Sequence, residues 1–178
     1  MQDIEHKASQ IRLVIFDVDG VLTDGSLFIG DDGQEYKAFH SKDGLGMSLL
    51  QQSGVQIAII TARTSEVVKI RMQTLGVKYV FQGRKNKNSA YLELKQHTGF
   101  TDQQIAYVGD DLIDLPVMRQ VGLAIAVNDA HPLVTQHAHW QTPSTGGRGA
   151  ARDVSEMIMQ AQGTFESSLS AFLSGSSE

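Results

Sequence analysis

Five short, nearly continuous apolar runs recur along this chain: Leu13–Phe16, Val55–Ile60, Tyr79–Phe81, Ile105–Val108 and Leu123–Val127. A half-exposed strand alternates polar with apolar residues, so unbroken runs are expected of parallel strands covered on both faces. Between them lie four helix-like stretches, Asp43–Ser53, Ser65–Leu75, Ser89–Thr98 and Asp111–Val121. Gly54, Gly76 and Gly99 follow the first three, where a left-handed residue ends a helix, and Gly122 is expected to end the fourth. Repeated β-α units predict an α/β fold with a doubly wound, mainly parallel sheet. At 178 residues, the whole span 1–178 is expected to form one domain.

One segment breaks the rhythm. Ser26 to His40, SLFIGDDGQEYKAFH, predicts a β-hairpin insertion (26–40) around a GDDG turn, too small for a cap domain. Later, TPSTGGRGA, from Thr142 to Ala150, is a loop by composition. Asp153–Ala161 is expected to be a last helix, and the closing SGSSE to be disordered.

Composition narrows the function classes. The chain is 41% apolar and 20% charged, as expected of a soluble globular protein. It has no cysteine, which excludes disulfides and thiolate metal sites. A formal net charge of −5 argues against a general nucleic-acid partner. No apolar run approaches the roughly 20 residues that span a bilayer, and the opening MQDIEHKASQ has no signal-peptide core. A cytoplasmic protein with no membrane partner is expected.

In open α/β sheets, ligands bind beyond the carboxyl ends of the strands. The residues there are Asp17 and Asp19 after the first run, and Thr61 and Arg63 after the second. Lys85 and Lys87 follow the third, and Asp110, Asp111 and Asp114 the fourth. In extended backbone, positions i and i+2 point the same way, so Asp17 and Asp19 can face one site. Crowded carboxylates are costly unless a cation or proton neutralises them. Oxygen donors without a thiol favour magnesium over zinc. A threonine hydroxyl and a lysine suit a phosphoryl group. One carboxylate can then act as nucleophile and another as general acid and base. Taken alone, a DxD or a Gly-Asp is a turn or a cap; the ordered set after successive strands predicts phosphoryl transfer.

DVDGVLTDG, Thr61, the lysine of NK and GDDLID together make the chain resemble the haloacid dehalogenase superfamily of phosphatases, from about Ile11 to Ala151. The resemblance implies Asp17 as nucleophile and Asp19 as general acid and base. It implies Mg2+ held by Asp17, Asp110 and the backbone carbonyl of Asp19, and a phosphoryl group held by Thr61 and by Lys87 rather than Lys85. Asp111 and Asp114 are expected to orient neighbours or to start a helix. FHSKDGLG, QGRKNK, VGDDLIDLPVM and GGRGA resemble the superfamily's phosphatases for eight-carbon sugar-acid phosphates, which act in lipopolysaccharide precursor synthesis. That resemblance implies a phosphorylated sugar-acid substrate touched by Asp19, His40, Ser41, Lys42, Asp43, Gly44, Arg63, Arg71, Lys87 and Arg148. It also implies a homotetramer, with hairpins meeting at its centre and a tail, 142–178, reaching a neighbour's site. Alternatives are a phosphatase for nine-carbon sugar-acid phosphates and a phosphoaspartate receiver domain.

Overall fold

The computed structural model describes residues 2–173. Ser174–Glu178, which includes the whole of SGSSE, lies outside the described residues. The chain runs α1 (Gln2–Ser9), β1 (Leu13–Phe16), β2 (Phe28–Ile29), β3 (Glu35–Tyr36) and α2 (Ser41–Gln52). It continues through β4 (Gln56–Ile60), α3 (Glu66–Thr74), β5 (Tyr79–Phe81), α4 (Lys87–Thr98), β6 (Ile105–Gly109) and α5 (Leu115–Met118). It ends with β7 (Leu123–Ala126), α6 (Pro132–His137), β8 (Trp140–Gln141), α7 (Ala150–Ala161) and α8 (Phe165–Leu173).

All five apolar runs became strands of one parallel sheet, in the order β5-β4-β1-β6-β7-β8. The lack of alternation has the expected cause, because the sheet has two covered faces. Val14 and Phe16, with Ile57, Ile59, Ala106 and Val108, pack under Met47, Leu50, Val68, Met72, Val154 and Ile158 from α2, α3 and α7. Leu13 and Ile15, with Ala58, Ile60, Ile105 and Tyr107, pack against Ala90, Tyr91, Leu94 and Val117 from α4 and α5. β1 lies between β4 and β6, with Phe16 opposite both Ile59 and Val108. The residues that follow these three strands therefore emerge side by side.

The hairpin stands apart. β2 and β3 pair antiparallel, Phe28 opposite Tyr36, and form a two-stranded sheet of their own. Phe28, Ile29 and Tyr36 are 55%, 64% and 58% exposed. No helix among the described residues is long and apolar enough to cross a membrane.

Two expectations need correction. The helix expected over 111–121 is a 3-10 turn, Leu112–Asp114, followed by the short α5. Asp111 caps the turn by accepting from the Leu112 N–H (2.7 Å), and Pro116 stands at the second position of the helix. Gly122 does not end that helix. It lies against β6's approach, where a Cβ would fall 2.6 Å from the Gln103 Cα, while its N–H donates to the Asp102 carbonyl (2.7 Å). Within the segment 142–178, a helix packs on this chain's own core. The last helix begins at Ala150, and its buried residues Ala151, Val154, Ile158 and Met159 join this chain's own core. An apolar stripe with this helical spacing needs a cover, and α2 supplies it. α1, α6, β8 and α8 carry weaker signals: α1 is mostly polar, and β8 is two residues long.

Ile158→Ala removes a fully buried side chain from the α2–α7 contact. It should cost about 2–5 kcal/mol of unfolding free energy. The urea midpoint should fall while the slope of the transition stays unchanged.

Candidate active site

Asp17 leaves β1 with its carboxylate buried. Its Oδ1 accepts from the Val18 N–H at 2.7 Å, and its Oδ2 lies 2.7 Å from the Lys87 Nζ. Lys87 is the first residue of α4, which Asn86 caps by accepting from the Ser89 N–H. The ammonium also donates to Asp114 Oδ1 at 2.6 Å. Lys85 is exposed, so the structure brings Lys87 and not Lys85 to the carboxylates.

Asp114 has all its acceptor capacity in use. Oδ1 accepts from Lys87 and from the Tyr107 hydroxyl (2.6 Å), and Oδ2 from the N–H groups of Asp110 (3.0 Å) and Asp111 (3.1 Å). Its carboxylate thereby shapes the turn after β6 and aims Asp110. Asp17, Asp110 and Asp114 each offer an oxygen within 4.8 Å of the others. Asp110 Oδ1 is buried and has no hydrogen-bond partner. Asp114 accepts from four protein donors, two on each oxygen, whereas Asp17 has one donor on each oxygen and Asp110 Oδ1 has none, so Asp17 and Asp110 keep lone pairs that could hold a cation. Hard oxygen donors with an orphaned carboxylate oxygen fit Mg2+. Gly20, at φ +88°, lies so close to Asp110 that a Cβ there would overlap the carboxylate.

Electrostatics carry the same mark. Burial pushes Asp17 up to about 6, with the Lys87 charge opposing and Asp114 adding to the rise. Burial, and then the charges of Asp114 and Asp17, push Asp110 up to about 8. Burial works against the Lys87 ammonium, but Asp17 and Asp114 outweigh it and raise its pKa above the usual lysine value. Burial, with Asp114 beside it, holds the Tyr107 hydroxyl neutral as a donor.

Thr61 follows β4 and is buried, with its N–H on the Phe81 carbonyl (2.9 Å). Asp19 is reached from the hairpin segment by Lys37, which pairs with its Oδ1, and from the loop after β4 by Arg63, whose Nε lies 3.9 Å from its Oδ2. Lys37 also pairs with Glu35 (2.6 Å), and Arg63 with Glu35 (3.2 Å). A hydrogen bond from Lys37 leads the causes that hold the Glu35 carboxyl below the usual range.

The comparisons with known proteins agree with this geometry. A family model of haloacid dehalogenase-like hydrolases matches residues 79–152. Over 164 residues the chain is 46% identical to the 3-deoxy-D-manno-octulosonate 8-phosphate phosphatase of Escherichia coli (strain K12), covering 92% of this chain and 87% of that protein. The crystal structure of the Yersinia pestis phosphatase of the same name superposes with a TM-score of 0.91 at 47% identity, covering 92% and 89% of the two chains. The Moraxella catarrhalis phosphatase, solved with a magnesium ion, a phosphate ion and a KDO molecule, gives 0.95 at 40% identity, covering 97% and 99%.

The chain belongs to the 3-deoxy-D-manno-octulosonate 8-phosphate phosphatase family of haloacid dehalogenase-like hydrolases. The receiver-domain alternative is thereby set aside. In this hydrolase the remaining expected residues form a second group, around the start of α2. Ser41 and Lys42 are exposed there. Asp43 is buried, and accepts from the N–H groups of Gly149 (3.2 Å) and Arg152 (2.9 Å). These bonds tie the start of α2 to the start of α7. Arg71 reaches over Gly44, where a Cβ would collide with its guanidinium, and its charge lies 6.0 Å from the Phe39 ring centroid. Arg71 Nε and His40 Nδ1 are buried without hydrogen-bond partners. Arg148 is 65% exposed and pairs with Asp24 of its own chain at 3.1 Å.

The glycines of GGRGA have a use within the chain. The Gly147 N–H donates to the Val21 carbonyl (2.8 Å), and side chains at Gly146 or Gly147 would collide with the backbone of Gly20, Thr23 or Asp24. The segment thus presses on the loop that carries Asp17 and Asp19. Glu35 and Lys37 escaped sequence reasoning, although their i, i+2 spacing is the signal that paired Asp17 with Asp19.

An acid whose folded pKa exceeds its unfolded value of 3.8 binds protons more tightly when folded. Stability therefore declines as pH rises from about 4 towards the folded values of about 6 for Asp17 and about 8 for Asp110. In metal-free buffer the urea midpoint should fall between about pH 5 and pH 8. Asp110→Asn should flatten that decline; an equally steep decline in the variant would remove Asp110 as its source.

Proposed function

We propose that this chain is a magnesium-dependent phosphomonoesterase that hydrolyses 3-deoxy-D-manno-octulosonate 8-phosphate to the free sugar acid and phosphate, in lipopolysaccharide precursor synthesis. The observation that carries the reading is the buried contact of Lys87 with Asp17, beside the unpartnered oxygen of Asp110. A site with a confined carboxylate nucleophile, a fixed ammonium and an orphaned ligand oxygen suits an incoming phosphoryl group. The likeness to phosphatases of that name, one solved with KDO, supports the choice of sugar acid.

Asp17 attacks phosphorus. The bond from phosphorus to the sugar oxygen breaks, its electron pair stays on that oxygen, and Asp19 supplies the proton. The Asp19 carboxylate next takes a proton from water, whose oxygen attacks the phosphorus of the aspartyl phosphate. Phosphate leaves and the Asp17 carboxylate returns. Lys87 and Thr61 hold the phosphoryl oxygens as charge gathers on them. Mg2+, held by Asp17, Asp110 and the Asp19 carbonyl, would offset carboxylate charge that otherwise repels the phosphate. Arg71 and His40, with their unpartnered nitrogens, together with Arg63, suit the sugar acid's carboxylate and hydroxyls. Gly44 lets Arg71 approach, Ser41 and Lys42 flank the same helix start, and the exposed Arg148 is open to the substrate of its own or a neighbouring site.

The reading includes a cytoplasmic homotetramer. Leu27, Phe28, Ile29 and Tyr36 expose apolar surface on a two-stranded ribbon, a unit marginal in isolation. Hairpins meeting across subunits would cover it.

The test is phosphate release from a panel of eight- and nine-carbon sugar-acid phosphates and simple sugar phosphates. The eight-carbon ester should give the highest kcat/KM, chelation should stop turnover, and added Mg2+ should restore it. Asp17→Asn should reduce release to background, since an amide is a poor nucleophile; near-normal turnover would sink the covalent route. Phe28→Asp should shift the species measured by light scattering towards smaller assemblies, and an unchanged mass would remove the hairpin from the interface.

A further inference from the structure

The stretch that leads out of the hairpin alternates. Glu35 and Lys37 turn inward, while Tyr36 and Ala38 face outward, the period of extended backbone. The Lys37 side chain is 1% exposed, although the hairpin pairs with no strand of the main sheet. Its ammonium is consumed by two carboxylates, Asp19 Oδ1 and Glu35 Oε1. Arg63 closes the ring, 3.2 Å from Glu35 Oε2 and 3.9 Å from Asp19 Oδ2. With Asp19 ionised the two acids and two bases balance in charge, and with a proton on Asp19 the Lys37 ammonium keeps the Glu35 carboxylate as its counter-charge.

This ring treats the two oxygens of Asp19 differently. Oδ1 is engaged by Lys37, whereas Oδ2 has only Arg63 near it, beyond hydrogen-bond distance. The terminal torsion of an aspartate is broad and roughly two-fold, so a fixed partner on one oxygen selects one orientation of the group. We propose that Lys37, braced by Glu35, is a positioning residue that turns the Asp19 carboxyl so that Oδ2 carries the proton to the leaving oxygen. The inference rests on the reading of Asp19 as general acid, and it adds a task for the hairpin. Lys37 is too enclosed to reach substrate itself. Its effect passes through Asp19, because proton transfer needs the donor held at the reacting oxygen.

The test compares kcat/KM for three esters: the sugar-acid phosphate, glycerol phosphate and p-nitrophenyl phosphate. This quantity reports transfer to Asp17, before Asp19 acts as base. The first two leaving groups need a proton, and the nitrophenolate does not. Lys37→Met should lower kcat/KM by about 10- to 100-fold on both alkyl esters and by less than about threefold on the aryl ester. Lys37→Arg should recover part of the loss, and Glu35→Gln should show the same split more weakly. Asp19→Asn should show the split at full size, and adding Lys37→Met to it should cost little more. Equal losses on all three esters would make Lys37 structural and overturn the proposal. A loss confined to the sugar acid would make it a substrate contact and overturn it equally. If Asp19→Asn itself shows no split, the general-acid reading fails and takes this inference with it. Asp17-dependent turnover of the unaltered chain would still stand apart from that result.

Discussion

The site depends on one buried ammonium. Lys87 has a fully enclosed side chain between Asp17 and Asp114, on three different parts of the chain. An unpaired charge at that depth would cost several kcal/mol. Like-charged carboxylates would repel each other without it. The start of α4, the end of β1 and the turn after β6 are therefore held to a common geometry. Asp114 extends the constraint, since its second oxygen gathers the N–H groups of Asp110 and Asp111. Even so, one cation does not settle three acids, as the raised pKa values of Asp17 and Asp110 and the unpartnered Asp110 Oδ1 record. The residual negative charge is what suits this pocket to a metal ion and a phosphate together.

Around that centre the backbone is packed too tightly for side chains. Gly20 abuts the Asp110 carboxylate, and Gly146 and Gly147 abut the loop from Gly20 to Asp24. Asp43 then ties α2 to the start of α7. The C-terminal part of the chain thus braces the nucleophile loop from behind. The hairpin reaches the same loop from the other direction, through Lys37 on Asp19. Binding chemistry and fold stability share these contacts, so changes in the GGRGA segment act on the loop before they act on substrate.

Much of this was legible beforehand. Unbroken apolar runs announced strands covered on both faces, and the residue after each run announced the site, because a parallel sheet delivers its strand ends to one edge. Asp17, Thr61 and Asp110 do follow successive strands of the one sheet, as that rule expects. What stayed hidden belongs to residues whose contacts lie elsewhere along the chain. Gly122 looked like a helix end but is spaced for Gln103. Asp43 also ties α2 to the start of α7, more than a hundred residues later, which its place before a helix did not signal. GGRGA packs its glycines on the loop from Gly20 to Asp24 of its own chain, a contact its loop-like composition did not signal.

The sequence by itself determined the fold class, the carboxylates and the choice of phosphoryl chemistry, because period, strand-end position and donor type are local properties. Only the tertiary structure buried Lys87 between two carboxylates, gave Asp114 its four donors, and turned Lys37 onto Asp19. Those outcomes depend on which charges are buried together, and burial is set by contacts between segments that the linear order does not bring near one another.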